Sequence, residues 1–120
     1  MKNTILLLFI GLVFTGTIQA QTAPTPTVAK PKIYHQEADA KADIKAAVDK
    51  AAKEGKHVLL QIGGNWCVWC IRFNDKVNGN DTLKTELDKS YVTYHLNYSK
   101  ENMNEDVLAS LGYPQRFGFP

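Results

Sequence analysis

Ile44, Ala47, Val48 and Ala51 fall at i, i+3, i+4 and i+7 within a stretch of alanine, lysine, aspartate and glutamate. That spacing predicts a helix over about 36–54 with one apolar face. Gly55, just past Lys53 and Glu54, is the residue type that stops helices. Residues 58–62 then form an apolar run of strand length, closed by Gly63 and Gly64. A run without polar alternation predicts a strand covered on both faces, as in a parallel sheet. Trp66, Cys70, Phe73 and Val77 return to helical spacing, and "NGND" breaks that stripe at 78–81. "TLKTELDKS" predicts a further short helix. "YVTYHLNY" (91–98), aromatic and β-branched, predicts a strand, and "NEDVLASLG" predicts a helix stopped at Gly112. Helices alternating with strands are the pattern of an α/β fold.

The 120 residues allow one domain, and a net charge of +2 with no lysine or arginine run argues against nucleic acid as a partner. The front of the chain changes the picture more. Lys2, an apolar stretch over 5–14 broken only by Gly11, and the small residue Ala20 have the layout of a signal peptide, residues 1–20, cleaved on export. The rival is an uncleaved membrane anchor, but the stretch is shorter than the ~20 residues that cross a bilayer. The expected location is therefore periplasmic or secreted, without stable membrane insertion after cleavage. Residues 21–32, with Pro24, Pro26 and Pro31, read as a Pro-rich linker, and 33–120 as the folded domain.

Cys67 and Cys70 are the two cysteines of the chain. As a staple they close a loop of only four residues, and loop closure that short stabilises little. As a zinc site they supply half of the ligands, and His35, His57 and His95 stand at no ligand spacing. A c-type haem tether needs histidine where Ile71 stands. No metal and no cofactor is expected. The redox reading fits the surroundings: a strand, two glycines that allow a sharp turn, then a helix beginning near Cys67. A cysteine at a helix start meets unpaired amides and the positive dipole end, which favour its thiolate. Cys70, one turn on and within the apolar stripe, is expected to be the more buried. An exposed nucleophile with a shielded resolving partner is the division of labour that thiol–disulfide exchange requires.

"NWCVWC", the preceding "AAKEGKHVLLQIGG" and the closing "LGYPQRFGFP" together resemble the thioredoxin superfamily. The likeness is to exported thioredoxin-like proteins with a W-C-x-W-C motif, akin to the C-terminal domain of periplasmic thiol:disulfide interchange proteins. The resemblance implies a thioredoxin-like sheet flanked by helices, with Pro120 in the position of the family's cis-proline. It also implies that Phe119 and Pro120 join Trp66 and Trp69 in a substrate-facing surface. Since the family continues past that proline with further strands and a helix, the fold is expected to be cut short at the cis-proline. The strand at 58–62 is then expected to show an open, apolar edge.

Two departures bear on chemistry. Val68 and Trp69 stand between the cysteines in place of Gly-Pro, and related pairs span roughly −270 to −120 mV. Gln61 stands where thioredoxins carry a buried acid that handles the resolving cysteine's proton. If the strands at 58–62 and 91–98 are parallel neighbours, as the resemblance implies, His95 lies near Gln61 and is a candidate proton acceptor. The competing assignment makes His95 sheet packing and solvent the base. Trp69 is expected to be exposed, Tyr91, Tyr94 and Tyr98 to pack on the sheet, and Arg72 to be solvated.

These features point to an exported thiol:disulfide oxidoreductase acting on protein thiols or disulfides together with a further redox partner. Cys67 is the expected nucleophile and Cys70 the resolver. The competing class is a non-enzymatic thioredoxin-like binding module or soft-metal carrier.

Overall fold

The computed structural model describes residues 32–119. The expected signal peptide, nearly all of the linker, and Pro120 with its cis-proline assignment lie outside the described residues. The elements run α1 (Ala40–Glu54), β1 (His57–Gly63), α2 (Val68–Asn78), α3 (Asp81–Ser90), β2 (Tyr91–Asn97) and α4 (Glu105–Ser110). A 3₁₀ turn at Pro114–Phe117 follows, which the sequence pattern had not indicated.

β1 and β2 pair in parallel, with Gln61 opposite His95 and Ile62 opposite Leu96. Side chains alternate across a strand, so the two strands sort their residues together onto two faces. Ile62, Tyr94, Leu96 and Tyr98 meet α1 and α4 through Ala40, Ile44, Val107 and Leu108. Gln61, Thr93 and His95 face α2 and α3, where Phe73, Val77 and Leu87 stand over them. The result is an α/β fold of helices on both faces of a two-stranded parallel sheet.

The first helix starts later than expected, at Ala40 rather than about Gln36. Asp39 ends the extended segment by capping it, its carboxylate accepting from the N–H groups of Lys41 and Ala42 at 3.1 and 3.0 Å. Gly55 closes the helix with φ +65°, a left-handed conformation that a side chain would strain. Ala40, Ala47 and Ala51 form the buried face, whereas Val48, expected on it, is half exposed.

Helices stand over both faces of residues 58–62, as expected, but Val58, Leu59, Leu60 and Ile62 are only partly buried. Among the described residues β1 pairs on one side alone. Along it Leu59, Leu60 and Ile62 line an open hollow with Phe73, Pro114 and Gln115. Phe73, although on the apolar stripe of α2, keeps 42 % of its surface exposed above that hollow.

Candidate active site

β1 ends at Gly63, and a turn closed by Cys67 N–H donating to the Gly64 carbonyl at 2.9 Å leads into α2. Neither Gly63 nor Gly64 has a positive φ, so the turn does not use their conformational freedom. Space is what they supply. A Cβ on Gly63 would stand 2.6 Å from Cys70 Sγ and 2.9 Å from Tyr34 Oη. One on Gly64 would stand 2.4 Å from Trp66 Nε1. Without it, the Trp66 indole reaches across to donate to the Tyr98 carbonyl at 2.7 Å.

Cys67 and Cys70 are joined in a disulfide. Cys67 is the N-cap of α2, and its sulfur accepts from the Cys70 backbone N–H at 3.2 Å. When the bond opens, that amide and the helix N-terminus are placed to stabilise a thiolate on Cys67. The burial is more even than expected. Cys70 is fully enclosed, and Cys67 exposes only 6 %, because Tyr34, Ile33, Ile71 and Phe119 pack round the pair. The difference between the two sulfurs lies in the expected direction, but Cys67 is a rim atom rather than an open one.

The tryptophan before the motif and the one inside it stay in solvent, Trp66 at 53 % and Trp69 at 65 % exposure. Phe119 meets Trp66 edge-on at 5.3 Å and stacks on Tyr98 at 5.5 Å. Trp66, Phe119 and Tyr98 therefore form one aromatic group beside the cysteines, and Tyr98 does more than pack the sheet. Trp69 stands apart from that group with the Arg72 guanidinium 4.8 Å above its ring. Arg72 is thus engaged by a cation–π contact that holds a positive charge on the helix bearing the cysteines.

Behind the cysteines, Gln61 donates its side-chain amide to the Cys70 carbonyl at 3.1 Å. His95 lies opposite Gln61 in the register, as the parallel arrangement implied. Its Nε2 is buried without a hydrogen-bond partner among the described residues. Burial, and to a smaller degree the neighbouring His35, hold its pKa below the usual histidine value. A neutral imidazole at neutral pH follows, with a vacant proton site on one nitrogen.

Two residues of this site escaped the sequence reading. Asn65 accepts from the N–H groups of Ile33 and Tyr34 at 3.2 Å and donates to the Tyr34 carbonyl at 2.7 Å. It thereby pins the segment before α1 against the cysteine turn. Tyr34, so held, is buried against both sulfurs, and its ring meets His95 edge-on at 5.4 Å. No periodicity marks either residue; the polar Asn65 beside two glycines was the one available hint. Among the described residues no group of three or more histidine, cysteine or acidic side chains is placed to hold a metal ion.

A family model described as thioredoxin-like matches residues 39–120, and the chain belongs to that family. Neither a curated protein nor a solved structure gives a match. The family and the CxxC pair together indicate thiol–disulfide redox chemistry.

Proposed function

We propose that this chain is an exported thiol:disulfide oxidoreductase that exchanges disulfides with protein substrates. The observation that carries the reading is the Cys67–Cys70 disulfide at the first turn of α2, its outer sulfur seated as the helix N-cap. Reduced, Cys67 is the thiolate that attacks a substrate disulfide and forms a mixed disulfide, releasing one substrate thiol. Cys70 then gives up its proton and attacks Cys67 Sγ, closing the internal disulfide and releasing the second substrate thiol. Run in reverse, the same steps oxidise a substrate dithiol. The exposed rings of Trp66 and Trp69 and, by the family resemblance, Phe119 and Pro120 are the residues that meet the substrate backbone; exposed apolar groups beside a reactive pair mark a contact surface. His95 is the acceptor for the Cys70 proton. Export rests on the n-region, apolar core and small residue of 1–20.

Trapping tests this reading. With Cys70→Ala in the full chain, the mixed disulfide on Cys67 cannot resolve, and protein adducts that dissolve in dithiothreitol are expected. An absence of adducts, while the parent pair still cycles with small thiols, would remove the protein-substrate assignment.

A further inference from the structure

Tyr34 is the largest side chain buried beside the cysteines, with 1 % of its surface exposed. Its hydroxyl shares a confined space with the inner sulfur: the point where Gly63 would carry a Cβ is 2.9 Å from Tyr34 Oη and 2.6 Å from Cys70 Sγ. Asn65 holds the residue there through three hydrogen bonds to the backbone of residues 33 and 34. The hydroxyl nevertheless makes no hydrogen bond of full geometry among the described residues. Burial pushes its pKa up to about 12, against a smaller downward pull from the Gln61 side chain. At neutral pH the phenol therefore keeps its proton, and its use to a neighbour is as a donor. A buried donor without an acceptor is unfavourable. A disulfide sulfur is a weak acceptor, whereas hydrogen bonds to an ionised acceptor are roughly twice as strong as neutral ones.

We propose that Tyr34 Oη is a donor held for the reduced state, hydrogen-bonding the Cys70 sulfur once the Cys67–Cys70 bond opens. The proposal rests on the reading that this pair cycles between disulfide and dithiol. In the opening step a thiolate of a dithiol partner attacks Cys67 Sγ, and a new S–S bond forms there as the Cys67–Cys70 bond breaks. The electron pair of the broken bond leaves on Cys70 as a thiolate, which accepts a hydrogen bond from Tyr34 and later takes back a proton by way of His95, the group that accepts it in the closing direction. The partner's second thiolate then displaces Cys67, so the partner is oxidised to its disulfide and the cysteine pair is reduced. Tyr34 stabilises the leaving thiolate and the dithiol product, and leaves the disulfide with an unmatched donor. It shifts the couple toward the reduced form. Packed around Tyr34 are the cysteine pair at the start of α2 and His95 of β2, whose own charged neighbour is His35, while β1 contributes the neutral Gln61.

The test is the equilibrium of the full chain with glutathione and glutathione disulfide at pH 7, parent against Tyr34→Phe. The variant is expected to favour disulfide closure about tenfold more than the parent, a fall of about 30 mV in potential. A change of less than threefold, or one toward the dithiol, overturns the proposal. Tyr94→Phe is the control. That phenol is also raised to about 12, but it bonds Asp43 on the other sheet face, so it should leave the equilibrium within twofold. The readout needs no protein substrate, so a failure of the oxidoreductase assignment in the trapping experiment stays separate from a failure here. Should Tyr34→Phe not fold, the ring Cζ resonance of Tyr34 in the intact labelled chain decides. It is expected to move on reduction, and an unmoved resonance overturns the proposal.

Discussion

Gln61 Nε2 donates to the Cys70 carbonyl oxygen at 3.1 Å from a strand position whose partner in the register is His95. This one contact ties the sheet to the first turn of α2, and so sets where the inner sulfur sits. Gln61→Ala is expected to destabilise the oxidised chain by about 1–2 kcal/mol, the typical cost of a lost buried hydrogen bond. Denaturant melts of parent and variant measure it. Gln61→Glu should cost more at pH 7 than at pH 5 relative to the parent, because a buried carboxylate cannot donate to the carbonyl and its protonated form can.

His95 has its own pH signature. Its folded-state pKa is depressed, chiefly by burial, so the unfolded chain takes up a proton first as pH falls. The stabilisation is whole above the unfolded value of about 6.5 and is lost as pH drops through that value toward the folded pKa. Melting temperature should therefore fall between pH 7.5 and 5, and His95→Gln should flatten part of that slope. An unchanged slope would place the acid sensitivity elsewhere.

Kinetics separate the proton role of His95 from packing. His95→Ala is expected to slow resolution of a Cys67 mixed disulfide by on the order of a hundredfold near neutral pH, at the low edge of what a positioned base contributes. The initial attack by Cys67 should change little. Stopped-flow measurement of both steps across pH 6 to 8 checks this, and resolution at the parent rate would leave solvent as the base.

Cys67, as helix N-cap, should titrate below the ~8.5 of a free thiol in the single-cysteine protein. Alkylation rates against pH in Cys70→Ala and Cys67→Ala should show Cys67 reacting faster and at lower pH. Equal rates and an unshifted Cys67 would reverse the assignment of roles.

The glycines make a sharper structural test. Gly63→Ala drives a methyl into both Cys70 Sγ and Tyr34 Oη, and overpacking of this kind costs about 1–3 kcal/mol. Gly55→Ala meets no atom within 4 Å but stays strained at φ +65°, so about 1 kcal/mol is expected. Melts should show both losses, and the Gly63 variant alone should also disturb the equilibrium of the disulfide with glutathione.

Those glycines also show where the sequence was readable and where it was not. "GG" before the first cysteine marked the turn correctly, yet the reason is room for a sulfur, a phenol and an indole, which no local pattern encodes. The helical stripe through Cys70, Phe73 and Val77 located α2, but a stripe shows which face is apolar and not whether anything covers it. Hence Phe73 and Val48 proved exposed. The pairing of Gln61 with His95 followed from the resemblance, because parallel strands in a known arrangement leave few registers. Tyr34 and Asn65 were invisible for a physical reason: their contact spans some thirty residues, and the segment holding Tyr34 has no period of its own. The same long-range packing buries Cys67 more deeply than its place at a helix start suggested.

The central claim is that Cys67–Cys70 is a working redox couple and not a structural bond. Equilibrating the full chain with glutathione buffers and quantifying dithiol against disulfide tests it most directly. The account expects a single two-electron transition between roughly −270 and −120 mV, where catalytic pairs of this kind lie. A pair that stays closed to below about −300 mV, the range of structural disulfides, would contradict it.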